Sequence, residues 1–234
     1  MCTVSFIPTS FADFVLTSNR DEAPGRLTFP PKKYELSGNT LLFPKDNVAG
    51  GTWIGVSEKQ RLICLLNGGF TAHVREAHYR MSRGVIVTDL LQVSNFSDAI
   101  EGFDFSGIEP FTMIVVDWEN DLQLREVIWD GSQHYVTEKP IAPQIWSSSL
   151  LYSEEIKVAR EEWFSSFLFK HRRPSREDAI AFHTNAGNGN PETSLIMDRG
   201  FVKTISITQI TKNNESVGMR YEDLQEKRTT ELAL

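Results

Sequence analysis

Only two of the 234 residues are cysteine, Cys2 and Cys64. Two thiols do not make a disulfide framework, and the sequence therefore predicts a reducing, cytoplasmic setting. Also missing is any run near the roughly 18 consecutive apolar residues that a membrane helix needs. The apolar segment 1–16 has no Lys or Arg ahead of it, which argues against a secretory signal. Basic charge is in deficit: 24 Lys and Arg against 31 Asp and Glu leave a net charge of −7, with both signs mixed along the chain. That excludes the concentrated basic face of a nucleic-acid binder and electrostatic docking on anionic membranes. Neither internal repeats nor low-complexity linkers occur, so one domain over residues 1–234 is the simplest organisation. The expected partner is a small-molecule substrate or ligand; nothing in the sequence sets an oligomeric state.

Several chemical signatures are absent as well. His73 and His78 stand five apart, off one helical face, so the histidines form no zinc pattern and no metal is expected. The serines at 147–149 lack the flanking glycines of a nucleophile elbow. No glycine-rich loop of phosphate-cradling form is present.

What remains is a pattern of hairpins. Residues 2–7 and 13–18 read as strands flanking a turn at Pro8, Thr9 and Ser10, and 52–56 and 61–67 form a second hairpin across 57–60. A helix is predicted over 82–93, with Val85, Ile86, Leu90 and Leu91 apolar. Strands follow at 111–118, 122–129 and 134–137. The clearest helix spans 154–171 behind the N-cap Ser153, with Ile156, Ala159, Trp163 and Phe167 at helical spacing and Arg172, Arg173 and Pro174 at its end. A short helix over 175–182, a loop rich in Asn and Gly over 186–192, and strands at 201–210 and 216–221 complete the chain. Hairpins without βαβ periodicity predict an α+β fold of antiparallel sheets with segregated helices; two sheets between helical layers would bury the many aromatic residues.

The chemistry gathers at the first hairpin. A register in which paired numbers sum to about 20 sets Phe6 against Phe14, Val4 against Leu16 and Cys2 against Ser18, with Arg20 projecting on the side of Cys2. Asn19 and Asp21 then lie at the strand's exit. In the second hairpin a sum of about 117 pairs Ile54 with Ile63 and Thr52 with Leu65, and brings Asn67 beside Gly50 and Gly51, small enough for backbone N–H groups to approach a ligand. Removal of Met1 would leave Cys2 with a thiol of reference pKa about 8.5 and an α-amine of about 7.7–8.0. The amine can then take the thiol proton without any histidine. Arg20 would favour the thiolate, Asp21 would orient the ammonium, and Asn67 with a backbone N–H would stabilise an oxyanion, a donor worth about 3–4 kcal/mol in the transition state. The bland alternatives are a structural turn at residues 19–22, a bulge at Gly50 and Gly51 beside a packed Trp53, a simple turn at Asn67-Gly68-Gly69, and Cys64 as core.

Met1-Cys2, Asn19-Arg20-Asp21-Glu22, Gly50-Gly51-Thr52-Trp53-Ile54-Gly55, Leu66-Asn67 and Ser82-Arg83-Gly84 resemble the NRDE family, also called the transport and Golgi organisation protein 2 family. The resemblance covers roughly the first 95 residues well and the remainder loosely. It implies a four-layer αββα sandwich of the N-terminal-nucleophile kind, similar to penicillin V acylases and bile salt hydrolases. It further implies a catalytic set of Cys2, Arg20, Asp21 and Asn67, with Asn19, Gly51, Trp53 and Ser148 at the substrate. Ser148 is a departure, since members often carry Asn there and a serine hydroxyl reaches less far. The implied activity is cleavage of an amide or acyl (thio)ester bond of a small molecule, without a cofactor. The family's links to haem trafficking and acyl-CoA or lipid handling imply an alternative, a non-catalytic carrier of haem or acyl-CoA with Cys2 and the histidines as candidate ligands.

Overall fold

The computed structural model describes the backbone of residues 2–234 and the side chains of 3–234. In chain order it contains β1 (Cys2–Pro8), β2 (Phe14–Glu22), β3 (Thr28–Leu36), β4 (Asn39–Asp46), β5 (Ile54–Ser57), β6 (Arg61–Asn67), α1 (Arg83–Gln92) and α2 (Phe96–Gly102). There follow β7 (Phe111–Asp117), β8 (Gln123–Trp129), β9 (His134–Lys139), β10 (Gln144–Ser147), α3 (Glu154–Lys170), α4 (Arg176–Asn185), β11 (Lys203–Asn213), β12 (Ser216–Asp223) and β13 (Arg228–Ala233). The chain divides into two compact units, Met1–Arg26 with Ala142–Ala233, and Leu27–Ile141 with Leu234. Each unit holds one antiparallel sheet and two helices.

The first unit's sheet runs β10-β1-β2-β11-β12-β13. Its third strand is buried at every position from Phe14 to Asp21, as a central strand should be. Side chains alternate between faces, and one face carries Thr3, Ser5, Ile7, Val15, Thr17, Asn19 and Asp21. At the Ile7–Val15 end this face packs Phe164 and Phe167 of α3, Ala179 and Phe182 of α4, and Leu195. Toward the Cys2 end the same face turns polar. Helix α4 begins at a full capping box, in which the side chains of Ser175 and Asp178 each accept from the other's backbone N–H. On α3 the buried positions are Arg160, Phe164 and Phe167, so the inward stripe is rotated from the expected one and has a charged residue within it.

The first hairpin forms, but its pairs sum to 22 rather than 20: Val4 opposes Ser18, Phe6 opposes Leu16, and Cys2 opposes Arg20. The cause is a five-residue loop, 9–13, closed by Thr9 N–H on Asp13 O at 2.9 Å and by Ser10 Oγ on the Asp13 carboxylate at 2.8 Å. A slip of two keeps every side chain on its face, and here it sets Arg20 directly against Cys2.

The second unit's sheet is β3-β4-β5-β6-β7-β8-β9. One face carries Leu41, Phe43, Ile63, Leu65, Met113 and Val127, which pack against Ile86, Val87, Leu90 and Leu91 of α1 and Phe96 and Ile100 of α2. The hairpin of β5 and β6 differs from expectation by one residue, with Ile54 opposite Cys64 and Ser57 opposite Arg61. Gln60 takes φ +55° in a three-residue loop, so the pairing begins one residue earlier and every cross-strand partner changes. Cys64 is fully buried, as expected of a core thiol. Strands β3, β4, β10 and β13 and the short α2 were not anticipated. Pro30, Pro31, Lys32 and Lys33 within β3 suit an edge strand, where a lost donor costs no ladder bond.

Candidate functional site

Three adjacent strands collect most of the expected residues. Cys2 pairs with Arg20 across β1 and β2, and Thr3 pairs with Ser147 across β1 and β10, so Ser148 continues β10 beside the backbone position of Cys2. Met1 and the Cys2 side chain lie outside the described residues, and with them the expectations about thiol geometry and the free amine. Arg20 is 3% exposed and lies 3.7 Å from the carboxylate of Glu22. Ser148 is buried, and its carbonyl accepts from the N–H of Tyr152 at 3.2 Å.

Strand alternation splits the Asn-Arg-Asp run. Arg20 points to one face of the sheet, Asn19 and Asp21 to the face that carries α3 and α4. Asn19 is fully buried there and spends both amide hydrogens on carbonyls, His183 O at 3.0 Å and Leu195 O at 2.8 Å. That commitment fixes which way the amide lies, and its Oδ1 therefore accepts from His183 Nδ1 at 2.6 Å. The histidine is thus the Nδ1–H tautomer, and its Nε2 accepts from Ser5 Oγ at 2.7 Å. Burial, reinforced by the charge of Arg160, pushes the His183 pKa down to about 3, so the ring is neutral at ordinary pH. Both ring nitrogens are engaged inside the unit, which leaves His183 no nitrogen for a ligand.

Asp21 occupies the next position on that face, beside a bulge where the β2–β11 register shifts between Thr204 and Ser206. Tyr152 donates to its Oδ2 at 2.5 Å and Thr204 to its Oδ1 at 2.6 Å. Burial raises the Asp21 pKa, and the two donors pull the other way. The Tyr152 phenol is pushed well above its ordinary value by burial and by the neighbouring carboxylate, so Tyr152 remains the donor of the pair. Behind the ring, the Arg160 guanidinium lies 3.6 Å from its centroid. Arg160 itself is fully buried; it donates to Thr3 Oγ1 and to the carbonyls of Thr193 and Ser194 at 3.1 and 3.0 Å.

The second unit holds Gly51, Trp53 and Asn67. The smallness of Gly51 serves the backbone of α1: a Cβ there would come 2.2 Å from the carbonyl carbon of Gly84. The seam is fastened by Thr52 N–H on Gly84 O at 3.0 Å. Trp53 is buried, and its carbonyl accepts from Leu65 N–H at 2.7 Å. Asn67 ends β6, pairs with Phe111 and is partly exposed. Gly68 follows at φ +90°, its N–H on Pro110 O at 3.0 Å. The same unit has a cavity of about 320 Å³ lined by Arg61, Asp117 and Arg125, but it contains none of these residues and its arginines are engaged with Asp117.

Sequence reasoning did not find Thr3, Ser5, Tyr152, Arg160, His183 or Thr204. A weak signal existed in Arg160, a charge one helical turn from Phe164 and two from Phe167 on one stripe. His183 and Thr204 lie 164 and 183 residues from their partners, and no local pattern announces such a pairing.

The sequence profile of the family described as Transport and Golgi organisation 2 matches residues 1–200. No curated protein matches significantly. Among solved structures, the fold is similar to a conjugated bile acid hydrolase variant from Clostridium perfringens, with a TM-score of 0.59 and 10% identity over 99% of this chain and 92% of that one. It is also similar to penicillin V acylase from Agrobacterium tumefaciens, at 0.57 and 10% over 100% and 86%. The Caenorhabditis elegans orthologue of N-acylethanolamine-hydrolyzing acid amidase gives 0.62 and 11% over 89% and 92%. At such identities the likeness establishes the fold, that of the N-terminal-nucleophile hydrolases.

Proposed function

The chain belongs to the Transport and Golgi organisation 2 family, and on that footing we propose that it is an N-terminal cysteine hydrolase acting on an amide or acyl (thio)ester bond of a small molecule. The observation that carries the reading is the pairing of Cys2 with Arg20 on neighbouring strands of a sheet shared with acylases and amidases. A guanidinium held at that register position favours a thiolate. In this reading Met1 is removed and the α-amine of Cys2 takes the thiol proton. The sulfur attacks the acyl carbon; the proton passes to the leaving amine or thiol as its bond to carbon breaks. Water then cleaves the acyl-enzyme thioester, returning the thiol and releasing a carboxylic acid. In this reading Arg20 and Asp21 position the nucleophile, and Ser148, which continues β10 beside the backbone of Cys2, borders the substrate. The reading takes the 234 residues as one domain in the cytoplasm. Among the described residues no helix is long and apolar enough to cross a membrane.

Intact mass and turnover test it together. The mature protein should weigh one Met less than the full sequence, and a panel of N-acyl amino acids and acyl-CoAs should include a substrate whose turnover vanishes in Cys2→Ala. Stoichiometric binding of acyl-CoA that survives Cys2→Ala, or of haem that is lost with it, with no turnover by the wild type, would establish the carrier reading instead.

A further inference from the structure

We infer that Tyr152 is a positioning residue that, with Thr204, fixes the carboxylate of Asp21 for the chemistry of Cys2. The inference rests on the cysteine-hydrolase reading and extends it to residues outside the Asn-Arg-Asp-Glu run. Asp21 stands one position beyond Arg20, the register partner of Cys2, and on the opposite face of the sheet, so it bears on Cys2 through the backbone end of β1 and not by contact with the thiol. Its two oxygens are each held by a separate hydroxyl, Tyr152 at 2.5 Å and Thr204 at 2.6 Å. Two donors, one to each oxygen, are what an ionised carboxylate requires when it is withdrawn from water.

Tyr152 is itself fixed from several sides. Its N–H is tied to Ser148 O, and it immediately precedes Ser153, the N-cap of α3. The guanidinium groups of Arg160 and Arg199 lie 3.6 and 5.5 Å from its ring centroid. Arg199 in turn donates to Leu151 O at 3.1 Å and Glu192 O at 3.0 Å. The phenol therefore has little freedom other than to point at Asp21, and the two cations behind the ring match the negative charge in front of it. Thr204 is held similarly, its Oγ1 accepting from Met197 N–H at 2.9 Å. Charged and titratable groups around Asp21 come from each packed element: Tyr152 before α3, Arg160 on α3, His183 on α4 through Asn19, and Arg199 before β11. The carboxylate thus takes one hydroxyl from the segment before α3 and one from β11, with the charge of Arg160 on α3 close by. A surface-stabilising role would not call for that arrangement.

The test is the pH dependence of Cys2 alkylation by iodoacetamide from pH 4 to 9, with buried Cys64 replaced by Ala in every protein. In the wild type, Cys2 should react at least tenfold faster at pH 7 than a free N-terminal cysteine peptide. The profile should contain an acid-side inflection that disappears in Asp21→Asn. Tyr152→Phe keeps the ring and its cation contacts but removes one donor, and should move that inflection up by about one pH unit. Site-specific 3-fluorotyrosine at 152, a stronger donor that preserves the packing, should move it down. An inflection that stays in place in both proteins, or its absence from a wild type that reacts fast, overturns the positioning role while leaving the hydrolase reading intact. Wild-type Cys2 reacting no faster than the peptide overturns both. If Tyr152→Phe does not fold, the fluorinated protein alone decides.

Discussion

Acidifying the protein from pH 7 to pH 5 should cost it about 2 kcal/mol of stability through His183 alone. The folded ring takes a proton only near pH 3, because it is buried between Ser5 and Asn19 with Arg160 close by. In the unfolded chain the same ring titrates near its ordinary value of 6.5. Its folded pKa is therefore depressed, and the unfolded state binds the proton that the folded state refuses. Stability is full above about pH 6.5 and falls as pH drops toward 3, by roughly 2 kcal/mol at pH 5 and roughly 3 at pH 4 relative to pH 7. Asp21 works in the opposite sense, since its raised pKa lets the folded form gain a proton first. Asp13 and Asp178, whose pKa values are lowered, add to the loss only as pH falls through the usual carboxylate range. Asp21 is common to wild type and a His183 variant, so the difference between the two isolates the ring between pH 7 and 5. The assay is urea unfolding followed by far-UV circular dichroism at pH 7, 6 and 5, for wild type and His183→Gln. The variant should be less stable at pH 7, having lost its bonds to Ser5 and Asn19, yet should lose about 2 kcal/mol less between pH 7 and 5. Parallel pH dependences of the two proteins, within about 0.5 kcal/mol, would refute the assignment of a neutral buried ring.

Other consequences are simpler to read. Gly51→Ala drives a methyl to 2.2 Å from the Gly84 carbonyl carbon and should cost about 1–3 kcal/mol or more in thermal unfolding. Gly25→Ala, with nothing within 4 Å, should stay within about 0.5 kcal/mol. Arg61→Ala removes a buried guanidinium that holds Asp117 at 2.6 Å and the α1-terminal carbonyls of Leu90 and Val93 at 3.1 and 2.6 Å. Asp117 keeps Arg125 at 2.9 Å, so the loss comes from the two orphaned carbonyls and the weakened pair, and denaturant unfolding should show about 1–3 kcal/mol.

The fold class was legible because hairpin spacing and apolar pairing are local properties. The first hairpin shows both the reach and the limit of such reading. Pairing apolar residues correctly assigned Val4, Phe6, Leu16 and Arg20 to one face, but loop length, set by Asp13 capping Thr9 and Ser10, moved the register by two. In the second hairpin the left-handed Gln60 moved it by one, enough to change every partner. Asn19, expected at the substrate, is placed by the structure under α4, where its amide joins His183 and Leu195. Its partners are distant in sequence, and hydrophobic periodicity carries no record of buried polar contacts. On α3 the period was right and the phase was not, because the centre of the inward stripe is Arg160 rather than an apolar residue.

The strand order of the first unit dictates a sequence of events during synthesis. Residues 27–141 contain the whole of the other sheet and can complete it as they leave the ribosome, whereas β1 and β2 must wait. Their outer neighbours β10 and β11 begin at residues 144 and 203, so two strands that end deeply buried exist for most of translation as a lone ribbon with both edges bare. A chain stopped short of residue 203 would present the edge of Phe14–Glu22 to any strand that met it.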